Sequence, residues 1–204
     1  MAIPFAELNK INPSSIIELF ELDLVVGLHI ASGNPNNLQT NFAFHSGARL
    51  NTMTSITFQN KTYQRLPVEI TGFEKRSTGI NPRPTITFSN LGGINKDSTV
   101  MTMSDFLNIV NTVTPANDLL NAKLTRKLPL ASALDNINFQ DNVNPYGTPS
   151  SNRLKDEIFF IDRKAMESRT IVQFELVSRL DMENKRVPAR IVTRDIFPSA
   201  GNFY

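Results

Sequence analysis

Few side chains in this sequence can act as acid, base, nucleophile or ligand. Its 204 residues include no Cys and two His, His29 and His45. Without thiols there is no disulfide framework, thiolate nucleophile, Cys-ligated zinc or cysteine-held iron–sulfur cluster. Any imidazole chemistry must use His29 or His45. Asp23 is the acid nearest to a His in sequence, and Ser32 and Ser46 are the hydroxyls a Ser-His-Asp arrangement would use, although geometry rather than order defines a triad. The plainer reading ends a strand at His29 and puts His45 in a turn beside Gly47. Metal binding needs several ligands at suitable spacing, and no third His accompanies these two. Asp156 and Glu157 are adjacent, so on a strand they point to opposite faces, which suits solvated charges. Gly92-Gly93 follows a strand, but no Lys-Ser or Lys-Thr closes a phosphate loop and no third Gly completes a dinucleotide fingerprint, so the pair reads as a turn. Neither a metal nor another cofactor is expected, and no catalytic residue is assigned.

The basic side chains suit binding better than catalysis. Lys123, Arg126 and Lys127 stand together, yet Leu124, Leu128 and Leu130 lie among them and no aromatic is interleaved as a stacking platform. With 21 Lys+Arg against 19 Asp+Glu the formal net charge is +2, short of the basic excess of a nucleic-acid binder. The cluster reads as a solvated strand edge, where such charges discourage edge-to-edge pairing or set register against a neighbouring subunit. Arg163, Lys164, Glu167 and Arg169 read as a mixed-charge hairpin tip that a symmetric assembly can use for docking. Arg83, between Pro82 and Pro84, is held extended with its guanidinium free for a bidentate contact. Within its own subunit it would pair with Glu69 or Glu74; otherwise it crosses a subunit interface.

Strands joined by turns must position these groups. Asn, Thr and Ser recur throughout, Phe is the main aromatic with 14 residues, and 40% of the chain is hydrophobic, enough for one core without staples. Met1 to Pro13, with two Pro, reads as an arm. Ile16 to Ile30 fits either a helical face or an alternating strand, and strand is preferred. Ala31 to Thr40 is a loop. Asn41–Phe44 and Ser55–Phe58 are short strands, the latter opening a hairpin with its turn at Asn60-Lys61. Val68, Ile70 and Phe73 lead through a loop at Ser77–Pro82 into Thr85–Ser89, whose strict alternation buries Ile86 and Phe88. Met103, Phe106, Leu107 and Val110 mark a helix within Asp97–Val113, with Ser104 as N-cap. Late strands are expected at Glu157–Asp162 and Ile171–Leu180, joined by a tip at Arg163–Ser168. The expected class is mainly β, as antiparallel sheets or partly open barrels with one helix around Ser104–Val113. Residues 1–13 are the arm, 14–135 the β-rich domain, 136–152 an exposed loop or subdomain boundary, and 153–204 a terminal hairpin region on the same core.

Apolar runs fall short of the roughly 20 residues a spanning helix needs; Glu18, Glu21 and Asp23 interrupt the longest. No basic start precedes Glu7, so no secretory signal is expected and the chain is expected to fold in a cytoplasm.

Ile56-Thr57-Phe58-Gln59-Asn60-Lys61-Thr62-Tyr63-Gln64-Arg65-Leu66-Pro67 resembles the hairpin of the phage minor tail protein L family. Gly72-Phe73-Glu74, Arg83-Pro84-Thr85 and Ser89-Asn90-Leu91 are similar to that family's next segment. Phe159 to Asp162, Glu175-Leu176, Ser178, Leu180-Asp181, Pro188 and Arg190 are similar to its second block. The resemblance spans about Ile16 to Arg190. It implies a non-enzymatic, β-rich tail-tip subunit, made in the host cytoplasm and residing in the virion. As a homotrimer it would join the distal tail ring to the central hub or fibre protein and serve tail assembly and host attachment, without binding nucleic acid or inserting into a membrane. Lambda-like members carry a Cys-rich C-terminal region with an iron–sulfur cluster, which a sequence without Cys cannot hold. Asp97 to Asn121 does not match the family pattern. Interface candidates are Arg83, Asn90, Lys123, Arg126, Lys127 and Arg163. The alternative is a small cell-surface module that binds or hydrolyses carbohydrate, for which clustered acids with Trp would be expected; there is no Trp.

Overall fold

Strands dominate the computed structural model, which describes residues 9–33, 39–47, 55–74, 83–91, 94–96, 99–179 and 181. In chain order they are β1 (Leu19–Asp23), β2 (Asn41–His45), β3 (Ile56–Phe58), β4 (Lys61–Arg65), β5 (Val68–Thr71), β6 (Thr85–Ser89), β7 (Ile94–Lys96), β8 (Thr99–Met101), β9 (Lys123–Lys127), β10 (Glu157–Glu167) and β11 (Ile171–Val177). Nine of them form one open sheet in the order β3-β4-β2-β1-β9-β10-β11-β6-β5, and β7 pairs with β8 apart from it. Within the large sheet, β2 and β4 run parallel and the other neighbours antiparallel. One α-helix among the described residues, α1 (Met103–Val113), completes the mainly β fold the sequence predicts. The Ser77–Pro82 loop and the Gly92-Gly93 turn lie outside the described residues, as does the arm up to residue 8.

Period-two alternation assigns the sheet its faces. Phe20, Leu22, Leu124, Phe159, Ile161, Val172, Phe174, Ile86 and Phe88 point to one side and bury against Met103, Phe106, Leu107 and Val110 of α1. Ile86 and Phe88 are 1% and 6% exposed, as their alternation predicts. On the opposite side Ile17, Leu19, Ile56, Phe58 and Tyr63 form a second core with Ala131, Ala133, Leu134 and Phe139. Short 3-10 turns at Ala131–Ala133, Asn136–Asn138 and Gln140–Asn142 carry that covering layer.

Several boundaries differ from expectation. Ile16–Ile30 contains only the five-residue β1, because the chain turns at Val25–Ile30, where Gly27 N–H bonds Ile30 O at 2.7 Å. The first hairpin turns at Gln59-Asn60, not Asn60-Lys61. Both turn residues take left-handed φ, 53° and 59°, so that Phe58 pairs with Lys61, the geometry that matches strand twist. The N-cap of α1 is Thr102. Its hydroxyl accepts from Asp105 N–H and the Asp105 carboxylate accepts from Thr102 N–H, a reciprocal box. Ser104 lies inside the helix, and the chain before Thr102 forms β7 and β8 rather than helix. Arg163–Ser168 is not a tip, since β10 runs on to Glu167 with register shifts near Asp162 and Ala165. The turn falls at Ser168–Thr170, where Ser168 Oγ accepts from Thr170 and Ile171 N–H. Residues 136–152 are partly tucked in rather than wholly exposed. Asn138, Phe139 and Asn144 are buried, and Asn144 Nδ2 donates to Ala131 O and Leu134 O at 3.0 Å each. His45 closes β2 and is buried, not in a turn.

Candidate interface site

The strongest concentration of charge sits where β1 meets β9. This pair is central, so Lys123, Arg126 and Lys127 are not on a strand edge. Their antiparallel register places Lys127 opposite Leu19 and Lys123 opposite Asp23, within reach of the acids that alternate along β1. Lys127 Nζ bonds Glu21 Oε1 at 2.7 Å, and Tyr63 OH donates to the same oxygen at 2.6 Å. Lys61 Nζ completes the group at 3.0 Å. Burial pushes the Glu21 carboxyl up, but the bonds from Lys127, Tyr63 and Lys61 prevail and hold it at about 2. The same burial, with Glu21 beside it, raises the Tyr63 phenol above its ordinary range. Lys123 pairs with Asp23 at 2.8 Å, and Asn41 bonds both Asp23 and Lys61. Each of the three lysines is thus paired with a β1 carboxylate, and these pairs tie β1, β4 and β9 together at the sheet's centre.

Arg126 belongs to the helix-covered face. Its guanidinium stacks 4.2 Å from the Phe73 centroid and pairs with Glu18 and, at 2.8 Å, with Glu157. Glu157 is thus a paired carboxylate, as is Asp156, which Arg153 holds at 2.7 Å and 3.1 Å. Asn90 is buried and structural. Its side chain accepts from Ser104 N–H at 2.9 Å and donates to Ser104 Oγ and Ser168 O, tying the start of α1 to the β10–β11 turn.

Two candidates do come together near solvent. Arg163 bonds Glu175 through Nε at 2.9 Å and Nη2 at 2.8 Å. Arg83, with its side chain 50% exposed, reaches Asp162 at 3.5 Å; its partner is neither Glu69 nor Glu74. Hydrogen bonding from Arg163 lowers the Glu175 carboxyl against a small burial penalty, with the Arg163 and then the Arg83 charge adding to it. Two guanidiniums, one of them loosely paired, therefore mark one end of the sheet face away from α1, which also carries Lys123.

His29 and Asp23 do not form an acid–base pair. His29 is fully buried, with Nδ1 accepting from Val25 N–H at 2.9 Å and Nε2 donating to Leu120 O at 2.8 Å. Both nitrogens are committed to backbone, and Asp23 is committed to Lys123 and Asn41, so no triad forms around this imidazole. Sequence reasoning missed the Glu21–Tyr63 pair and the bonds by which Asn138 and Asp135 hold the backbone of Thr57 and Asn60. Tyr63 shares its strand face with Lys61 and Arg65, so alternation does not mark it as inward facing, and no local pattern points it at Glu21.

A family model described as phage minor tail protein L matches residues 36–201. The chain belongs to the phage minor tail protein L family. Tail tip protein L of Escherichia phage lambda is 26% identical to it over 137 residues, 67% of this chain and 52% of that protein. This family member thus spans about half the length of the curated relative it matches. The matched region contains β2 to β11 and α1, so most of the sheet falls within it, as do Arg83 and Arg163.

Proposed function

We propose that this protein is a non-enzymatic structural subunit of the tail tip of a long-tailed phage, joining the distal tail ring to the central hub or fibre protein as a homotrimer. The family match over residues 36–201 carries the reading, and the relative named a tail tip protein supports the placement. The geometry supports work done through contacts. Acids and bases in the sheet's centre are locked to one another, while Arg83 and Arg163 stand at a rim where charge sets partner choice and encounter rate more than affinity. Repeating one patch around an axis multiplies modest contacts and closes the assembly. Arg83→Glu tests this. The variant keeps wild-type thermal melting, because a half-exposed pair contributes little to stability, yet tails assembled with it lack the subunit. Normal incorporation overturns the interface role, and cryo-electron microscopy of particles locates the subunit directly.

A further inference from the structure

The two edges of the large sheet are finished differently. At β3, the outward amide of Thr57 is covered from within the chain: its N–H donates to Asn138 Oδ1 and its C=O accepts from Asn138 Nδ2, each at 2.6 Å. The Gln59 and Asn60 N–H groups beyond it go to the Asp135 carboxylate. One side chain thus imitates a strand partner. At β5 the bond from Ser89 N–H to Pro67 O fixes the phase of the ladder. Glu69 and Thr71 then face β6, and Val68 and Ile70 turn their backbone groups outward. Val68 N–H is taken by Leu66 O. Val68 C=O and both groups of Ile70 have no backbone partner among the described residues, while Glu69 and Thr71 beside them are exposed.

We propose that the β5 edge is a docking site for one extended strand of a different tail protein, which lengthens the sheet by main-chain bonding to Ile70. This rests on the tail reading above. A tail has a direction, so copies of one subunit around it are related by rotation about its axis and meet through unlike surfaces. Pairing β5 with β5 of another copy needs a perpendicular two-fold, and pairing it with β3 of another copy meets an edge already closed by Asn138. With β5 and β3 of a second copy set aside, the strand we assign to this edge comes from another polypeptide. Its chemistry is set by the edge: an apolar residue on the side of Val68 and Ile70, and a basic or hydroxyl residue beside Glu69, because like charges side by side oppose pairing.

A photo-crosslinking residue, p-benzoylphenylalanine, placed at the exposed position 69 of the full chain and irradiated in purified particles tests this. The expected adduct joins position 69 to a short segment of one other tail protein. In parallel, Ile70→Pro removes the outward donor and reduces incorporation at least tenfold, whereas Ile70→Val, which keeps it, incorporates normally. An adduct to a second copy of this chain, no adduct, or normal incorporation of Ile70→Pro overturns the proposal. Should Ile70→Pro fail to fold, the adduct alone decides. If the unmodified chain is missing from particles, the tail reading itself fails, an outcome distinct from a particle that holds the chain without the adduct.

Discussion

Glu21→Gln tests the charge cluster that joins β1, β4 and β9. Glutamine keeps the shape and one carbonyl acceptor for Tyr63 and Lys127 but removes the charge, so it imitates the protonated carboxyl. That carboxyl ordinarily titrates at 4.5 and in the fold at about 2. At about 1.4 kcal/mol for each tenfold change in proton affinity, the ionised form is worth about 3 kcal/mol to the folded state. Folding lowers this pKa, so the stabilisation is full above the unfolded value of 4.5 and is lost as pH falls toward 2. Urea unfolding followed by circular dichroism should show the variant about 3 kcal/mol less stable at pH 7, about 1 kcal/mol less at pH 3, and close to wild type near pH 2. A gap that does not change with pH, or one under about 1 kcal/mol at neutrality, would refute the argument that hydrogen bonds outweigh burial at this carboxylate.

Phe88→Ala, at a side chain wedged between Phe44 and Phe174 with centroids 5.8 Å and 6.2 Å away, should cost about 3 to 5 kcal/mol in denaturant melts; a loss under about 1 kcal/mol means the face assignment is wrong. Asn138→Ala strips the β3 edge of its paired amide and should cost about 1 to 3 kcal/mol, measured the same way, with a smaller effect showing that water replaces the side chain freely. Burial lowers the His29 pKa despite the bond to Leu120 O, so the unfolded state takes up the proton first and stability falls as pH drops below the unfolded value of 6.5. Thermal melts between pH 7.5 and 5.5 should lose part of that slope in His29→Gln, and an unchanged slope assigns the titration elsewhere.

The hydrophobic patterns of this chain were legible wherever one face of an element is buried and the other wet. Thr85–Ser89 and the Met103, Phe106, Leu107, Val110 stripe are such cases, because local alternation or helical spacing is itself the record of burial. The motif order that resembles the tail family was legible too, and so was the lack of thiols, which settles cysteine chemistry without any structure. Polar β-strand was not: residues 163–167 extend β10 where both faces meet solvent, so no alternation marks them. Nor was the N-cap, since Thr102 and Ser104 are both good capping residues, and it is the reciprocal bonding of Thr102 with Asp105, three residues on, that selects the first. Every ion pair between distant segments was decided by the tertiary structure. Lys127 and Glu21 lie 106 residues apart, and Arg83 and Asp162 lie 79 apart. A side chain's partner across such a separation depends on strand order and register, and the order β3-β4-β2-β1-β9-β10-β11-β6-β5 arises from how the two cores close over the sheet rather than from any local run of residues. Placing Lys123, Arg126 and Lys127 at the sheet's centre instead of its edge follows from that order alone.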